Sequence, residues 1–175
     1  MYLPQHFAET RIEELHRIVR ENPLGALVTC SASGLDANHL PFELDADRGL
    51  FGTLRAHVAR ANPILTEVAD GAGVMVVFRG AHGYISPNWY PSKHETHRHV
   101  PTWNYEVVHA HGRLRILDDE KFLRGVVARL TRHHEAPEPV PWKMGDAPRD
   151  FEGAVSTLEQ RGNDALSQAM ASTRR

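Results

Sequence analysis

Cysteine is almost missing from this sequence: Cys30 is the single one in 175 residues. That excludes an internal disulfide and a zinc cage built from cysteines. Long apolar runs are missing too. The longest is the five residues 74–78 (VMVVF), far short of the ~20 that a bilayer-spanning helix needs. The start, MYLPQHF, has neither a basic stretch nor an apolar run, so no secretory leader is expected and the protein is read as soluble and cytoplasmic. Positive charge is in no excess: Lys+Arg 20 against Asp+Glu 22 leaves a net of −2. A protein that grips phosphate backbones usually carries a basic surplus, so net charge does not support a DNA partner, which would need a local patch. No G-x-G-x-x-G follows a strand, and there is no Walker A loop, no H-E-x-x-H and no G-x-S-x-G elbow. What remains is ordinary globular material, 41% hydrophobic and 24% charged, enough for one domain with a real core. The 12 histidines are the one compositional oddity, and alone they prove neither metal binding nor pH sensing.

Residues 10–20 read as a helix. Thr10 followed by Glu13 makes a capping box, and Ile12, Leu15, Ile18 and Val19 recur at helical spacing. Asn22-Pro23 ends it, since the residue before a proline avoids helical angles. Strands are expected at 24–31, 35–44 and 49–54, joined by turns at Ser33-Gly34 and 45–49, as in an antiparallel meander. At 57–69 the pattern changes: Val58, Ala61, Leu65 and Val68 predict an amphipathic helix that tolerates Pro63 only near a boundary. Strands return at 74–86, where Gly80 and Gly83 suggest a bulge or close backbone approach, and at 105–117. Asp118-Asp119 caps a helix running to about 132. A single domain over 1–175 is expected: a core of about 1–135, a Pro-rich connection at 136–148 and a C-terminal helical tail at 151–175. Five or six strands without βαβ alternation predict a mainly β or α+β fold, an antiparallel barrel with flanking helices.

Three constellations could carry chemistry. The first runs from Thr53 through Arg55 and His57 to Arg60, where a strand is expected to pass into a helix. A helix N-terminus offers free N–H groups and the positive end of its dipole, and the hydroxyl and three basic side chains suit a terminal phosphate. The competing reading is a surface helix with ordinary basic residues. The second is the aromatic set Trp89, Tyr90, Trp103 and Tyr105, with Ser, Thr and Asn between. It could line a pocket for a flat ligand or form a subunit interface, and a ligand held between subunits would satisfy both. The third is the histidines: His94, His97 and His99 in a loop, then His109 and His111 on one strand face beside Arg113 and Arg115. A polar strand face beside a loop explains these without metal, and no metal is expected. Cys30, in an apolar strand, is expected to be a buried, inert thiol.

Several blocks together resemble the PaiB family: the opening MYLP with His6-Phe7, residues 37–42 (ANHLPF), 52–55 (GTLR), 57–63 (HVARANP), 84–87 (YISP), 89–93 (WYPSK), 101–105 (PTWNY) and 109–112 (HAHG). They run in order and cover most of the chain. The resemblance implies an FMN-binding split barrel, normally a homodimer, acting as a negative transcriptional regulator; the alternative is a flavin-dependent oxidoreductase using FMN. In similar split barrels FMN lies at the subunit interface. The resemblance then assigns the phosphate end to Thr53, Leu54, Arg55, His57 and Arg60, and the ring to Asn38, His39 and Leu40. Trp103 and Tyr105 would come from the partner subunit. The family usually continues after the Pro-rich connection with an apolar segment and a Lys-x-Ser-Gln-Asn motif; here Arg149-Asp150 passes directly into Phe151.

Overall fold

Strand β1 (Leu24–Ser31) shows how alternation sets the architecture: Gly25, Leu27 and Thr29 are buried, while Leu24 and Cys30 are exposed. Cys30 is therefore not the buried thiol expected, because its parity puts it on the outer face. The computed structural model describes residues 1–146, 155–161 and 166–171. Its other strands are β2 (Gly34–Pro41), β3 (Glu43–Asp45), β4 (Thr53–Ala59), β5 (Gly73–Ile85), β6 (Thr102–Leu117), β7 (Val155–Arg161) and β8 (Leu166–Ala171). All pairings are antiparallel, in the order β2-β1-β5-β6-β7-β4-β3, with β8 also on β6. The sheet curls around one core in which Ile18, Val76, Phe78 and Val108 are fully buried. Each such side chain contributes about 1.5–3 kcal/mol of burial. Helix α1 (Ile12–Glu21) lays Leu15, Ile18 and Val19 into that core. The short α2 (Ile64–Glu67) and α3 (Lys93–Thr96) sit in loops, and α4 (Glu120–Glu135) buries Leu123 and Val126.

Three expectations are corrected. Helix α1 starts at Ile12 without the Thr10–Glu13 box; instead the Glu9 carboxylate accepts from the backbone N–H of Thr10 (2.9 Å) and Arg11 (2.8 Å). The helix expected from His57 is strand through Ala59, because Leu54, Ala56 and Val58 alternate into the core. The helix begins only at Ile64, after Pro63, with the Asn62 side chain accepting from the Ile64 N–H at 3.0 Å. The tail expected to be helical contains β7 and β8 where it is described, and Leu158 of β7 belongs to the core. Sheet pairing overrides the helical composition there. The Asp119 cap is observed, its carboxylate accepting from the Phe122 N–H at 3.0 Å.

Gly80 does sit at a bulge. Arg79 pairs with Val107 and His82 with Tyr105, so Gly80 and Ala81 together oppose Glu106 alone. The extra residue reverses the parity of β5. Before it, Met75 and Val77 face outward with His111 and His109; beyond it, His82 and Tyr84 join that outer face opposite Tyr105 and Trp103. A Cβ at Gly80 would lie 2.8 Å from the Glu106 Oε2 and 3.2 Å from its Cβ, so a side chain would crowd the bulge.

Candidate functional site

Strand β4 has two faces with opposite chemistry. Leu54, Ala56 and Val58 point into the core, which leaves Leu54 no side-chain route to a ligand on the other face. Thr53, Arg55 and His57 lie on that other face, opposite Asp45 and Glu43 of β3 and opposite Glu159 and Thr157 of β7. Helix α4 lies alongside, with the Phe122 ring 5.4 Å from the Arg55 guanidinium carbon. The Arg55 guanidinium donates to Asp45 at 2.7 Å and stands 3.5 Å from the carboxylate of Glu159, which is 0% exposed. Arg48 reaches the same Glu159 oxygen at 3.0 Å, and Arg129 of α4 grips Glu43 through two hydrogen bonds. Thr53 donates its hydroxyl proton to the Arg48 carbonyl at 2.8 Å. Arg48, Arg55 and Arg129 thus match Glu43, Asp45 and Glu159 in charge, so Arg55 is committed to carboxylates.

The free end of β4 differs. Arg60 pairs with Asp118 at 3.1 Å in the open, where such a pair is worth little. His57 Nδ1 and Thr157 Oγ1 are buried, and neither has a hydrogen-bond partner. The two residues are directly opposed across β4 and β7, so they face the same side. Burial pushes the His57 imidazole below its ordinary pKa, which favours the neutral ring. Among the expected phosphate residues, the structure puts Thr53, Arg55 and His57 on one face and Arg60 at the turn that follows.

The expected ring-side residues divide between two faces. Leu40 is in the core, and Asn38 on the same parity is half-buried. The Asn62 amide donates to the Asn38 side-chain oxygen at 2.9 Å, bridging β2 to the end of β4 where no backbone ladder joins them. His39 faces outward, in a row with Ala26, Val77 and His109. Trp103 and Tyr105 are on that outer face too, 53% and 39% exposed. His82 stacks on Trp103 with ring centroids 5.9 Å apart, and Tyr84 lies at 6.4 Å. His109 and His111 stand 6.2 Å apart on the strand; burial and the neighbouring His111 push His109 below its ordinary pKa. His94, His97 and His99 occupy the loop before β6, and among the described residues no group of three His, Cys, Asp or Glu could hold a metal ion.

Asn62 and Thr157 were not read as site residues from sequence. Asn62 stood inside an expected helix, although the Asn-Pro pair was a signal for a break. Thr157 stood in the expected helical tail. Replacing Arg55 with Ala leaves half-buried Asp45 without its guanidinium and buried Glu159 with one of its two arginines, Arg48, so about 3 kcal/mol of stability is lost. Urea unfolding should show this as a lower midpoint at an unchanged slope. A loss under ~0.5 kcal/mol would contradict the structural role of Arg55.

The chain matches a family model described as "Putative FMN-binding domain" over residues 1–158. It is similar to a Bacillus subtilis protein named Protease synthase and sporulation protein PAI 2, 32% identical, over 81% of this chain and 66% of that one. It is also similar to an uncharacterized protein of Saccharomyces cerevisiae, 33% identical, over 79% of this chain and 93% of the relative. Among solved structures it is similar to the flavocytochrome Anf3 of Azotobacter vinelandii, with a TM-score of 0.72 at 11% identity over 98% of this chain and 73% of that chain. The FAD and heme binding protein of Mycobacterium smegmatis gives 0.69 at 17% identity, over 93% of this chain and 72% of that chain. The fold is the antiparallel split barrel with flanking helices that the sequence led us to expect. The chain belongs to the FMN-binding domain family, and a flavin is the cofactor that this membership carries.

Proposed function

We propose that this chain is an FMN-binding homodimer that serves as a flavin-linked regulator of the PaiB type. The observation that carries the reading is the pair of buried polar atoms without a partner, His57 Nδ1 and Thr157 Oγ1, at the end of β4. Buried polar atoms are nearly always paired, so two orphans side by side suit a ligand that supplies the missing partner. A terminal phosphate fits: an imidazole, a hydroxyl and the Arg60 guanidinium can all donate to its oxygens. The exposed, solvent-screened Arg60–Asp118 pair competes more weakly with a phosphate than the buried Arg55 pairs do. Thr53 and Arg55 then act as supports that hold β4 in place, and Asn38 with Leu40 borders the ring side. When bound, FMN supplies reversible one- and two-electron redox chemistry. The protein's own part is to hold the phosphate, orient the ring and keep water off it.

A second copy is the partner that supports this site best. Val28, Met75 and Val77 are only half-covered on the outer sheet face, and Tyr84, Trp103 and Tyr105 extend it as an exposed aromatic strip. A single continuous patch of this kind suits a two-fold, self-complementary contact. His39, Trp103 and Tyr105 would then meet the flavin across that contact. The regulatory reading rests on the similar Bacillus subtilis protein, named for protease synthesis and sporulation. With a net charge of −2, any DNA contact is through a local patch.

Flavin fluorescence titration tests the phosphate site. FMN should bind tighter than riboflavin, which lacks the phosphate, and Arg60→Ala should weaken FMN about tenfold, or ~1.4 kcal/mol, without changing riboflavin. Equal affinity for both flavins in the parent protein would refute the assignment. Steady bleaching of the bound flavin by NADH with turnover would replace the regulator with an oxidoreductase.

Light scattering tests the assembly. A particle of twice the chain mass is expected at micromolar concentration, and Trp103→Glu should shift it towards the monomer. A monomeric parent protein would rule the dimer out.

A further inference from the structure

A cavity of about 680 Å3 lies on the opposite side of the β5–β6 hairpin from the exposed aromatic strip. Ile85 and Thr102, paired across the hairpin, line it, whereas the preceding pair Tyr84 and Trp103 faces the outer strip. Its volume is within the 300–1,000 Å3 range (roughly) of small-molecule sites. The loop that closes it is fixed internally. Ser92 Oγ and His99 Nε2 are 2.8 Å apart, the Thr96 hydroxyl donates to the Ser92 carbonyl at 2.9 Å, and Lys93 donates to Asn88. The Tyr90 and His99 rings stack with centroids 4.9 Å apart and planes only 4° from parallel. That stack gives the cavity a flat wall.

The one permanently charged side chain that lines it is a cation, Arg98. Arg98 and His99 line the cavity with the hydroxyls of Ser92, Thr96 and Thr102, and no carboxylate does. The Arg98 side chain is exposed, and among the described residues no carboxylate pairs with it. The Ser92, Thr96 and Thr102 hydroxyls are engaged in hydrogen bonds within the loop, so the guanidinium and the flat aromatic wall select the ligand, an anion on a planar ring. We propose that this cavity binds a small aromatic anion, an aryl carboxylate or aryl phosphate, at a site separate from the flavin. Arg98 takes the anionic group, and the Tyr90–His99 stack takes the ring. The inference does not depend on the reading of the β4 end, since none of its residues belongs to that face.

Calorimetric titration of FMN-saturated protein with phenyl phosphate, benzoate and neutral benzyl alcohol tests it. Phenyl phosphate, benzoate or both should bind at least tenfold tighter than the alcohol, and the stronger of the two names the anionic group. Arg98→Ala should lose at least tenfold for that anion, and Arg98→Lys should recover most of the loss. FMN affinity should be unchanged in both variants, and so should thermal unfolding, since Arg98 is on an exposed loop. Binding of the anion only after FMN is removed would make the cavity part of the flavin site and overturn the proposal. So would absence of binding at millimolar concentration, equal binding of the alcohol, or an Arg98→Ala variant that binds as the parent does.

Discussion

Arg55 joins two carboxylates on different strands, one of which has no access to water. Glu159 is fully buried beside it, Asp45 is half-buried, and Phe122 of α4 lies along the guanidinium. In that setting the cost of separating the charges exceeds what any surface pair returns. Three strands and a helix are therefore tied at one point: β3 through Asp45, β7 through Glu159 and α4 through Phe122, with Arg129 and Glu43 closing the same face. The outcome for function is a division of labour along β4. Its inner residues serve the core, its middle outer residue serves the charge network, and the end with His57 Nδ1, beside Thr157 Oγ1, is where we propose the anion sits.

The second constraint is the bulge at Gly80 and Ala81. By adding one residue to β5 it reverses which side chains face out, so an aromatic strip on the outer face and a polar cavity on the inner face arise from one hairpin. Without the bulge, Tyr84 would point with Ile85's present face and Trp103 would lose its neighbour. Asn62 sets the remaining boundary. It caps α2 with its oxygen and reaches Asn38 with its amide, which links the two sides of the barrel's split where no ladder does.

Much of this was legible in the residues. The alternation of β1 and the run 74–78 read correctly as strands because burial on one face repeats every second residue. The Asp119 cap and the Gly80 bulge were readable because both rest on local chemistry. The second half of β4 was not, because Val58, Ala61, Leu65 and Val68 fit a helical stripe as well as a strand followed by a turn and a short helix. The tail was misread for a different reason. Its composition favours helix, and only the neighbouring β4 and β6, distant in sequence, make Val155–Arg161 a strand. The commitment of Arg55 to carboxylates was invisible for the same cause: Asp45 and Glu159 lie 10 and 104 positions away along the chain.

The most direct test of this arrangement is a pH titration of the His57 imidazole by 15N NMR, with and without FMN. Without flavin, burial holds its pKa below the ordinary 6.5, so the ring is neutral at pH 7. A phosphate dianion against Nδ1 favours the charged ring, so FMN should raise that pKa by about one unit or more, and riboflavin should leave it where it was. An unchanged His57 titration in protein whose added FMN is fully bound would place the phosphate elsewhere and contradict the role assigned to the free end of β4.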